Sequence, residues 1–159
     1  MINEKDKKKL IDFFEVQSAD LESQPEYWIN GADEGLSYCL ECCEKEVRQL
    51  RKAWPEGEFF VDGGSYSAEG ESISSCMQCG ELLENSLTSG GCEEEIDYFF
   101  EDGFDIDSEL DCYTMLLIIE SAGWEPSNNE KAGKEYFRKF YIVCERILKK
   151  INEKEADKN

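Results

Sequence analysis

In the first third of the chain, apolar residues recur every three or four positions, which is the spacing of one face of a helix. Residues 4–17 predict an amphipathic helix whose apolar side includes Leu10 and Phe14. A second helix is predicted from Cys43 to Trp54, because its apolar residues lie four, three and four positions apart and a proline follows. The stretch between the two helices, SADLESQPEYWINGADEG, is rich in turn residues and predicts turns.

The longest apolar stripe lies near the C-terminus, in the stretch SNNEKAGKEYFRKFYIVCERILKKINEK. Its apolar residues recur every three or four positions with lysine and arginine opposite, which predicts an amphipathic helix. The tail after Glu153 is predicted to fray. The residues of the stripe are Tyr136, Phe137, Phe140, Tyr141, Cys144, Ile147, Leu148 and Ile151.

Three shorter helices are predicted between residues 80 and 122. The first is GELLENSL, and the second has Thr88 or Ser89 as its cap, with three glutamates in the first turn, where the helix dipole favours anions. Ser108 and Asp111 resemble a capping box for the third, which runs to about Ala122. Its centre, MLLII, is apolar on all sides and is therefore predicted to be buried.

Two short strands are predicted around glycine turns, in EFFVDGG and in SYSAEGESIS. They lie between the second predicted helix and the stretch SSCMQCG. The hydrophobic pattern as a whole therefore predicts a mostly helical α+β protein with a small β-hairpin.

The net charge of −20 is unevenly distributed. Residues 53–130 contain 20 acidic residues and neither lysine nor arginine, whereas residues 1–52 carry a net charge of −4 and residues 131–159 carry +4. Such an anionic segment repels nucleic acid and acidic membranes, so neither is expected as a direct ligand, and it attracts basic proteins. The plainer interpretation is a charged surface that keeps the protein in solution.

The eight cysteines are predicted to be thiols or metal ligands rather than disulfides. No apolar run approaches the roughly 20 residues that cross a bilayer. The start, MINEKDKKKLIDFF, has only a short apolar patch that Asp12 interrupts, so it makes a poor signal peptide. We therefore expect a cytoplasmic protein, in which cysteines stay reduced.

Four cysteines form two matched pairs, Cys39-x2-Cys42 and Cys76-x2-Cys79, with 33 residues between them. Two thiols at this spacing can occupy two corners of a tetrahedron, and two such pairs supply all four ligands for zinc at about 2.3 Å per sulfur. Gly80 fits the turn that leaves such a pair, because glycine readily adopts positive φ. A four-thiolate site has no open position, so the zinc is expected to be structural.

The zinc site defines the predicted organisation. We expect one domain over residues 1–159, with a zinc-binding segment at 36–92 and a helical segment at 93–155. The cysteine pairs would form a zinc-knuckle or treble-clef-like clamp of the zinc-ribbon kind, packed with the hairpin and the amphipathic helices.

Other interpretations of the cysteines remain open. A redox dithiol would place one pair at a helix start beside a βαβ unit, which the pattern does not predict. Core packing explains Cys43, Cys112 and Cys144, which lie on apolar helix faces. Cys92 is ambiguous, and spacing alone does not separate Cys42 from its neighbour Cys43 as a ligand.

The stretches YCLEC and CMQCGELLENSLTSGGCEEEIDYF resemble a group of small bacterial and phage proteins of unknown function. In that group a first CxxC pair is followed by the motif C-x-x-C-G-x-x-L-x-x-x-L-T-x-x-G-x-x-x-E-(I/L)-x-x-F, and the resemblance covers roughly residues 36–124. It implies metal binding and a prokaryotic or viral origin, and it supplies no activity. The residues that carry the motif are Cys76, Cys79, Gly80, Leu83, Leu87, Thr88, Gly91, Glu95, Ile96 and Phe99.

Three classes of function are compatible with these features. The first is a non-enzymatic protein, fixed by zinc, whose acidic face meets a basic protein in the manner of an immunity protein, an inhibitor or a nucleic-acid mimic. The second is an enzyme with an acidic pocket, for which converging carboxylates of raised pKa would be the sign; any acid–base chemistry would have to do without histidine. The third is a subunit of a larger assembly, for which an exposed C-terminal stripe would be the sign.

Overall fold

The computed structural model describes residues 2–32, 35–65, 69–70, 73–84, 86–125 and 131–158. It confirms a mostly helical α+β protein with a small antiparallel strand pair. The helices are α1 (Glu4–Gln17), α2 (Leu40–Ala53), α3 (Ser89–Asp102), α4 (Glu109–Ala122) and α5 (Lys131–Asp157). The strands are β1 (Glu26–Asn30), β2 (Phe60–Ser65), β3 (Glu69–Gly70) and β4 (Ser86–Leu87).

The chain divides into two compact units. The first, here called the helical unit, consists of Met1–Leu21 and Leu87–Asn159. The second, here called the cysteine unit, is Glu22–Ser86 and contains both cysteine pairs. The expectation of one domain over residues 1–159, with segments at 36–92 and 93–155, stays a prediction.

The helical unit has a core of aliphatic and aromatic side chains. Helix α1 packs against α4 and α5, and α3 packs against the same two helices. The ring of Phe104, just after α3, lies between those of Phe14 and Phe99, with centroid distances of 5.8 and 5.0 Å. In the centre of α4, Met115 and Ile118 are buried, whereas the other three residues of MLLII are only half-buried.

The stripe predicted for the C-terminal helix is the inner face of α5. Seven of its eight residues are buried, and Tyr141 is half-buried. The prediction that the chain frays after Glu153 is wrong, because α5 continues to Asp157. Lys154, in that last part, donates to Asp107 over 2.6 Å between Nζ and Oδ1, which helps to hold the final turns.

Both predicted helix caps are present in the helical unit. The backbone N–H of Gly91 donates to Oγ1 of Thr88 over 3.0 Å, so Thr88 rather than Ser89 caps α3. The backbone N–H of Asp111 donates to Oγ of Ser108 over 3.1 Å at the start of α4. Each cap satisfies a backbone donor that the first helical turn leaves without a partner.

The cysteine unit is built on a two-stranded antiparallel sheet with α2 against it. Trp28 pairs with Asp62, and Asn30 with Phe60, in the register of β1 and β2. The small core of this unit consists of Ile29, Tyr38, Cys39, Cys43, Val47, Cys76 and Leu83. Two of the four metal-ligand candidates, Cys39 and Cys76, are therefore part of the core, whereas Cys42 is half-buried beside it and Cys79 is exposed.

The partner of the predicted strand EFFVDGG differs from the expectation. That strand is β2, but it pairs with β1, which lies in the stretch predicted to form only turns. Helix α2 separates the two strands along the chain, so they are not a contiguous hairpin. Of the other predicted strand, SYSAEGESIS, residues 66–68 and 71–72 lie outside the described part, and β3 lies between them.

The prediction of a helix over GELLENSL is wrong. Leu82 and Leu83 form isolated bridges with Ser75 and Gln24, and the next regular element is β4. Leu83 is fully buried in the core of the cysteine unit. Its backbone N–H donates to the carbonyl of Ser74 over 3.0 Å, a pairing that holds the segment extended.

Candidate metal centre

The first cysteine pair lies at the beginning of α2. Cys39 is the N-cap residue with an extended backbone (φ −71°, ψ 164°), and Cys42 lies in the first helical turn. Residue 38 is fixed against β1, because the N–H of Tyr38 donates to the carbonyl of Tyr27 over 2.8 Å and the N–H of Tyr27 donates to the carbonyl of Tyr38 over 2.9 Å. Helix α2 begins at Leu40, three residues before the predicted start, and this earlier start brings Cys42 into the first turn.

The second pair lies on a tight turn. The N–H of Gly80 donates to the carbonyl of Cys76 over 2.9 Å, and the N–H of Cys76 donates to the carbonyl of Glu81 over 2.8 Å. Gly80 has φ of +76°, a conformation that only glycine adopts at little cost. The positive φ predicted after Cys79 is thus present, and the turn directs both thiols to one side.

One backbone hydrogen bond joins the two pairs. The N–H of Met77, between the cysteines of the second pair, donates to the carbonyl of Ser37 over 2.9 Å. Neither Ser37 nor Glu81 was predicted to be part of the site. Both act through backbone groups rather than side chains, so no side-chain signal marks them.

The four sulfur atoms converge. The Sγ atoms of Cys39, Cys42, Cys76 and Cys79 all lie within 4.8 Å of one another, and those of Cys39 and Cys79 are 3.8 Å apart. A tetrahedron with about 2.3 Å from metal to sulfur has edges of about 3.8 Å. A disulfide needs about 2.0 Å between sulfurs, so the thiols are free and spaced as ligands rather than bonded to each other.

The thiols of Cys42, Cys76 and Cys79 have different pKa values. The hydrogen bond with Cys39, together with burial, raises the pKa of the Cys42 thiol to about 12. Burial acts to raise the pKa of Cys76, but backbone N–H groups, led by that of Cys79, lower it to about 6. The N–H of Glu81 lowers the pKa of Cys79, but burial and the Cys76 sulfur together raise it above its ordinary value. The thiolate of Cys76 therefore forms much more readily than those of Cys42 and Cys79.

Cys43 faces away from this cluster. Its side chain is fully buried in the core of the cysteine unit, and its Sγ donates to the carbonyl of Trp28 over 3.5 Å. Burial raises the pKa of the Cys43 thiol to about 11. Among the described residues, the cluster contains Cys42 and not Cys43, so the geometry favours Cys42 where spacing left both open.

The three remaining cysteines are buried in the helical unit. Cys112 and Cys144 are fully buried, and burial raises the pKa of both thiols, that of Cys112 to about 12. Burial also raises the pKa of Cys92, although a hydrogen bond with Ser121 acts in the opposite direction. Neutral, buried thiols behave as small apolar residues, so these three serve packing.

The second pair lacks the helix that a redox dithiol at this place requires. Cys76 and Cys79 are followed by bridged, extended chain rather than a helix. The first pair does open a helix, but its sulfurs are shared with the second pair in one cluster. A four-sulfur cluster is the arrangement of a metal site rather than of an isolated exchange dithiol.

Two carboxylates of raised pKa lie in the helical unit. Burial raises the pKa of Glu95, and the charge of Asp111 adds to the effect. Burial also raises the pKa of Asp111, whose Oδ2 accepts from the backbone N–H of Asp105 over 3.0 Å. That hydrogen bond gives Asp111 a structural task in closing the loop before α4, so the pair does not by itself indicate an active site.

No protein-family model, curated protein or solved structure matches this chain. The resemblance to small bacterial and phage proteins therefore stays a prediction. Among the described helices, none is long and apolar enough to cross a membrane.

Proposed function

We propose that this is a non-enzymatic acidic protein whose cysteine unit is stabilised by structural zinc and which acts by binding a basic protein. The observation that carries the zinc assignment is the convergence of four thiols at tetrahedral spacing. Four cysteine ligands fill the coordination sphere of zinc and leave no position for a substrate. The metal would therefore stabilise the fold and have no catalytic role.

The clamp would be treble-clef-like, because one cysteine pair lies on a tight turn and the other at the beginning of a helix. Zinc would join two segments that only a few hydrogen bonds and a small core otherwise hold together. In small metal-binding domains of this kind, the free energy of metal binding is largely free energy of folding. The free thiols also support a reducing, cytoplasmic setting.

The zinc assignment is tested by replacing one cysteine of each pair. We expect wild-type protein to contain about one zinc per chain by elemental analysis, and Cys39→Ser and Cys76→Ser to lose the metal and the cooperative unfolding transition. Cys144→Ser is the matched control, since it alters a buried thiol of the helical unit and should keep the zinc. Full stability of Cys76→Ser in strong chelator would contradict a structural role.

The proposed binding surface is the outer side of α3. Glu94, Glu101 and Asp102 are exposed there around the half-exposed ring of Tyr98, and α3 contains no basic residue. Where α5 lies against α3, Lys139 pairs with Asp97 over 2.8 Å between Nζ and Oδ1. Lys139 of α5 therefore pairs with Asp97, while the neighbouring anionic face of α3 has the exposed Tyr98 at its centre.

Such a face suits a basic partner for two reasons. Complementary charge raises the rate of association and discriminates against acidic proteins. Exposed tyrosine is also enriched at protein interfaces, where it supplies contact area at a small cost in conformational entropy. A nuclease or another nucleic-acid-binding protein has the required basic surface, so an immunity, inhibitor or mimic role follows from the same chemistry.

Affinity capture from native lysate tests this proposal. We expect the wild-type chain to retain basic proteins that are released as salt is raised, because salt screens exposed charges. The triple variant Glu94→Gln, Glu101→Gln, Asp102→Asn should lose them.

The control for this capture is a second triple variant, Glu15→Gln, Asp20→Asn, Glu22→Gln. These three side chains are also exposed but lie outside the lysine-free segment 53–130. The control changes the net charge by the same amount, so it should retain the partners. Identical partners from wild type and the α3 variant would refute the proposed surface.

A further inference from the structure

One face of the sheet in the cysteine unit is open to solvent. Side chains alternate between the two faces of a strand, and Ile29 and Val61, which are paired across β1 and β2, pack into the core with α2. Trp28 and Phe60 lie on the opposite face and are 40% and 46% exposed. This surface is here called the open sheet face, and its residues are Trp28, Asn30, Phe60 and Asp62.

The ring of Trp28 has a fixed position on this face. A Cβ atom at Gly63 would lie 2.8 Å from Cζ3 of Trp28, so the ring lies directly against a stretch of backbone that only glycine leaves uncovered. The backbone of Trp28 is held as well, because its carbonyl accepts from Sγ of Cys43 over 3.5 Å. The solvent side of the ring is therefore a preformed surface for a ligand.

Asp62 provides a carboxylate beside this ring. It lies opposite Trp28 in the register of the strands, where side chains are about 5 Å apart. Its Oδ1 accepts from the backbone N–H of Gly63 over 2.8 Å, and its Oδ2 accepts from Nδ2 of Asn30 over 3.3 Å. These bonds orient the half-buried carboxylate, and each oxygen keeps a lone pair for a further donor.

The charge around the open sheet face favours a cation. Residues 22–86 contain 14 acidic residues and only four basic ones. All four basic residues lie on α2, which packs against the other face of the sheet, and neither β1 nor β2 contains any. Such surroundings attract a cationic group and repel nucleic acid and acidic peptides.

Arginine fits this arrangement better than lysine does. Its planar guanidinium stacks on an aromatic ring and can donate two hydrogen bonds to one carboxylate at the same time. The ammonium of lysine is a compact and strongly hydrated charge, so it gains less from an exposed ring.

We propose that the open sheet face binds an arginine side chain of a basic protein. The guanidinium stacks on Trp28 and donates to Asp62, and the ring of Phe60, diagonal to Trp28 in the register, contacts the alkyl stem. The site rests on the proposed function only for the kind of partner, because all of its residues lie in the cysteine unit and none on α3.

The test uses three peptides of four repeats each, arginine–glycine, lysine–glycine and citrulline–glycine, titrated into the full chain and followed by NMR chemical shifts. Salt at about 0.15 M limits the contribution of distant carboxylates, because the Debye length is then about 8 Å. We expect the arginine peptide to bind most tightly and the uncharged citrulline peptide to bind least. Trp28→Leu should weaken the arginine peptide about fivefold, the size of one contact between a cation and an exposed ring.

The carboxylate is tested with Asp62→Asn, which keeps an oxygen for the N–H of Gly63 and removes the charge. It should weaken the arginine and lysine peptides alike. Trp54→Leu and Glu44→Gln are the matched controls, since both side chains are exposed, but Trp54 follows the basic pair Arg51 and Lys52, and Glu44 lies on α2. Neither control should change the affinity of any peptide.

Thermal unfolding midpoints close to that of wild type verify that the variants fold. Equal affinity for the arginine and lysine peptides would overturn the proposal, and so would equal losses in Trp54→Leu and Trp28→Leu. Absence of saturable binding of the arginine peptide to the wild-type chain would also overturn it.

The triple variant on α3 separates this site from the surface of the proposed function. It should bind the arginine peptide with wild-type affinity even though it no longer captures basic proteins. A loss of peptide affinity in that variant equal to the loss in Trp28→Leu would contradict a site on the open sheet face. Failure of the capture experiment alone would overturn the α3 surface and not this site.

Discussion

Three cysteines of the cluster, Cys42, Cys76 and Cys79, differ in how readily each releases its proton. With a pKa of about 6, Cys76 is already a thiolate at neutral pH, whereas Cys42, with a pKa of about 12, and Cys79, with a raised pKa, keep their protons. Zinc binds cysteine as thiolate, so the metal must displace the protons that remain. The Cys76 thiolate supplies a first ligand that needs no such displacement.

We expect zinc binding at pH 7 to release at least two protons, those of Cys42 and Cys79. Because protons and metal compete, affinity should fall as pH falls, and more steeply below about pH 6, where Cys76 is also protonated. Calorimetric titration in buffers of different ionisation enthalpy measures the number released. A value clearly below two would contradict the raised pKa of Cys42 and of Cys79.

Which of the two adjacent cysteines, Cys42 or Cys43, lies in the cluster could be predicted only in part from the sequence. Both neighbours fit a CxxC-like spacing from Cys39 nearly equally well. The side of α2 that each occupies decides between them: Cys43 lies one helical turn before Val47 and is buried with it. The helical stripe was visible in the sequence, but the earlier start of the helix, which brings Cys42 into the first turn, was not.

At the scale of elements, the helices were predictable and the sheet was not. Stripes at a spacing of three to four predicted α1 and α5 closely, and a capping box before an apolar run predicted α4, because a helix is encoded by neighbours along the chain. The sheet depends on pairing between β1 and β2, which α2 separates. Within β1, the half-exposed Trp28 and buried Ile29 give only a short and weak alternation.

The failed helix at GELLENSL has a related cause. Leu83 and Leu87 lie four positions apart, which is helical spacing, and both are buried. Leu83, however, is buried in the core of the cysteine unit, and Leu87 begins the second segment of the helical unit. Because Leu83 and Leu87 are buried in different cores, they need not lie on the same face of one helix. The spacing between them does not show in which core each is buried.

At the scale of the whole molecule, each unit has its own core, and the cysteine cluster belongs to only one of them. The helical unit buries several large aromatic and aliphatic side chains among four helices. Its apolar α5 stripe is used in that core, so it gives no support to the alternative of a subunit in a larger assembly. The cysteine unit has far fewer apolar residues to bury.

Removal of the metal should therefore affect the two units differently. We expect a strong chelator to abolish hydrogen-exchange protection of α2 and β1, while α4 and α5 keep most of theirs. Hydrogen exchange with mass spectrometry, with and without chelator, resolves the two regions. Equal loss of protection in both units would show that they unfold together.

The helical unit is formed from two separated stretches of chain, and this has a consequence for synthesis on the ribosome. The cysteine unit is one continuous stretch, complete once Ser86 has left the exit tunnel, so it can acquire its metal early. Helix α1, made before it, contacts α4 and α5, which are made last. In the nascent chain, Leu10 and Phe14 therefore stay exposed until α4 and α5 have been synthesised, although the intervening cysteine unit is already complete. During that interval a chaperone could bind these exposed apolar side chains.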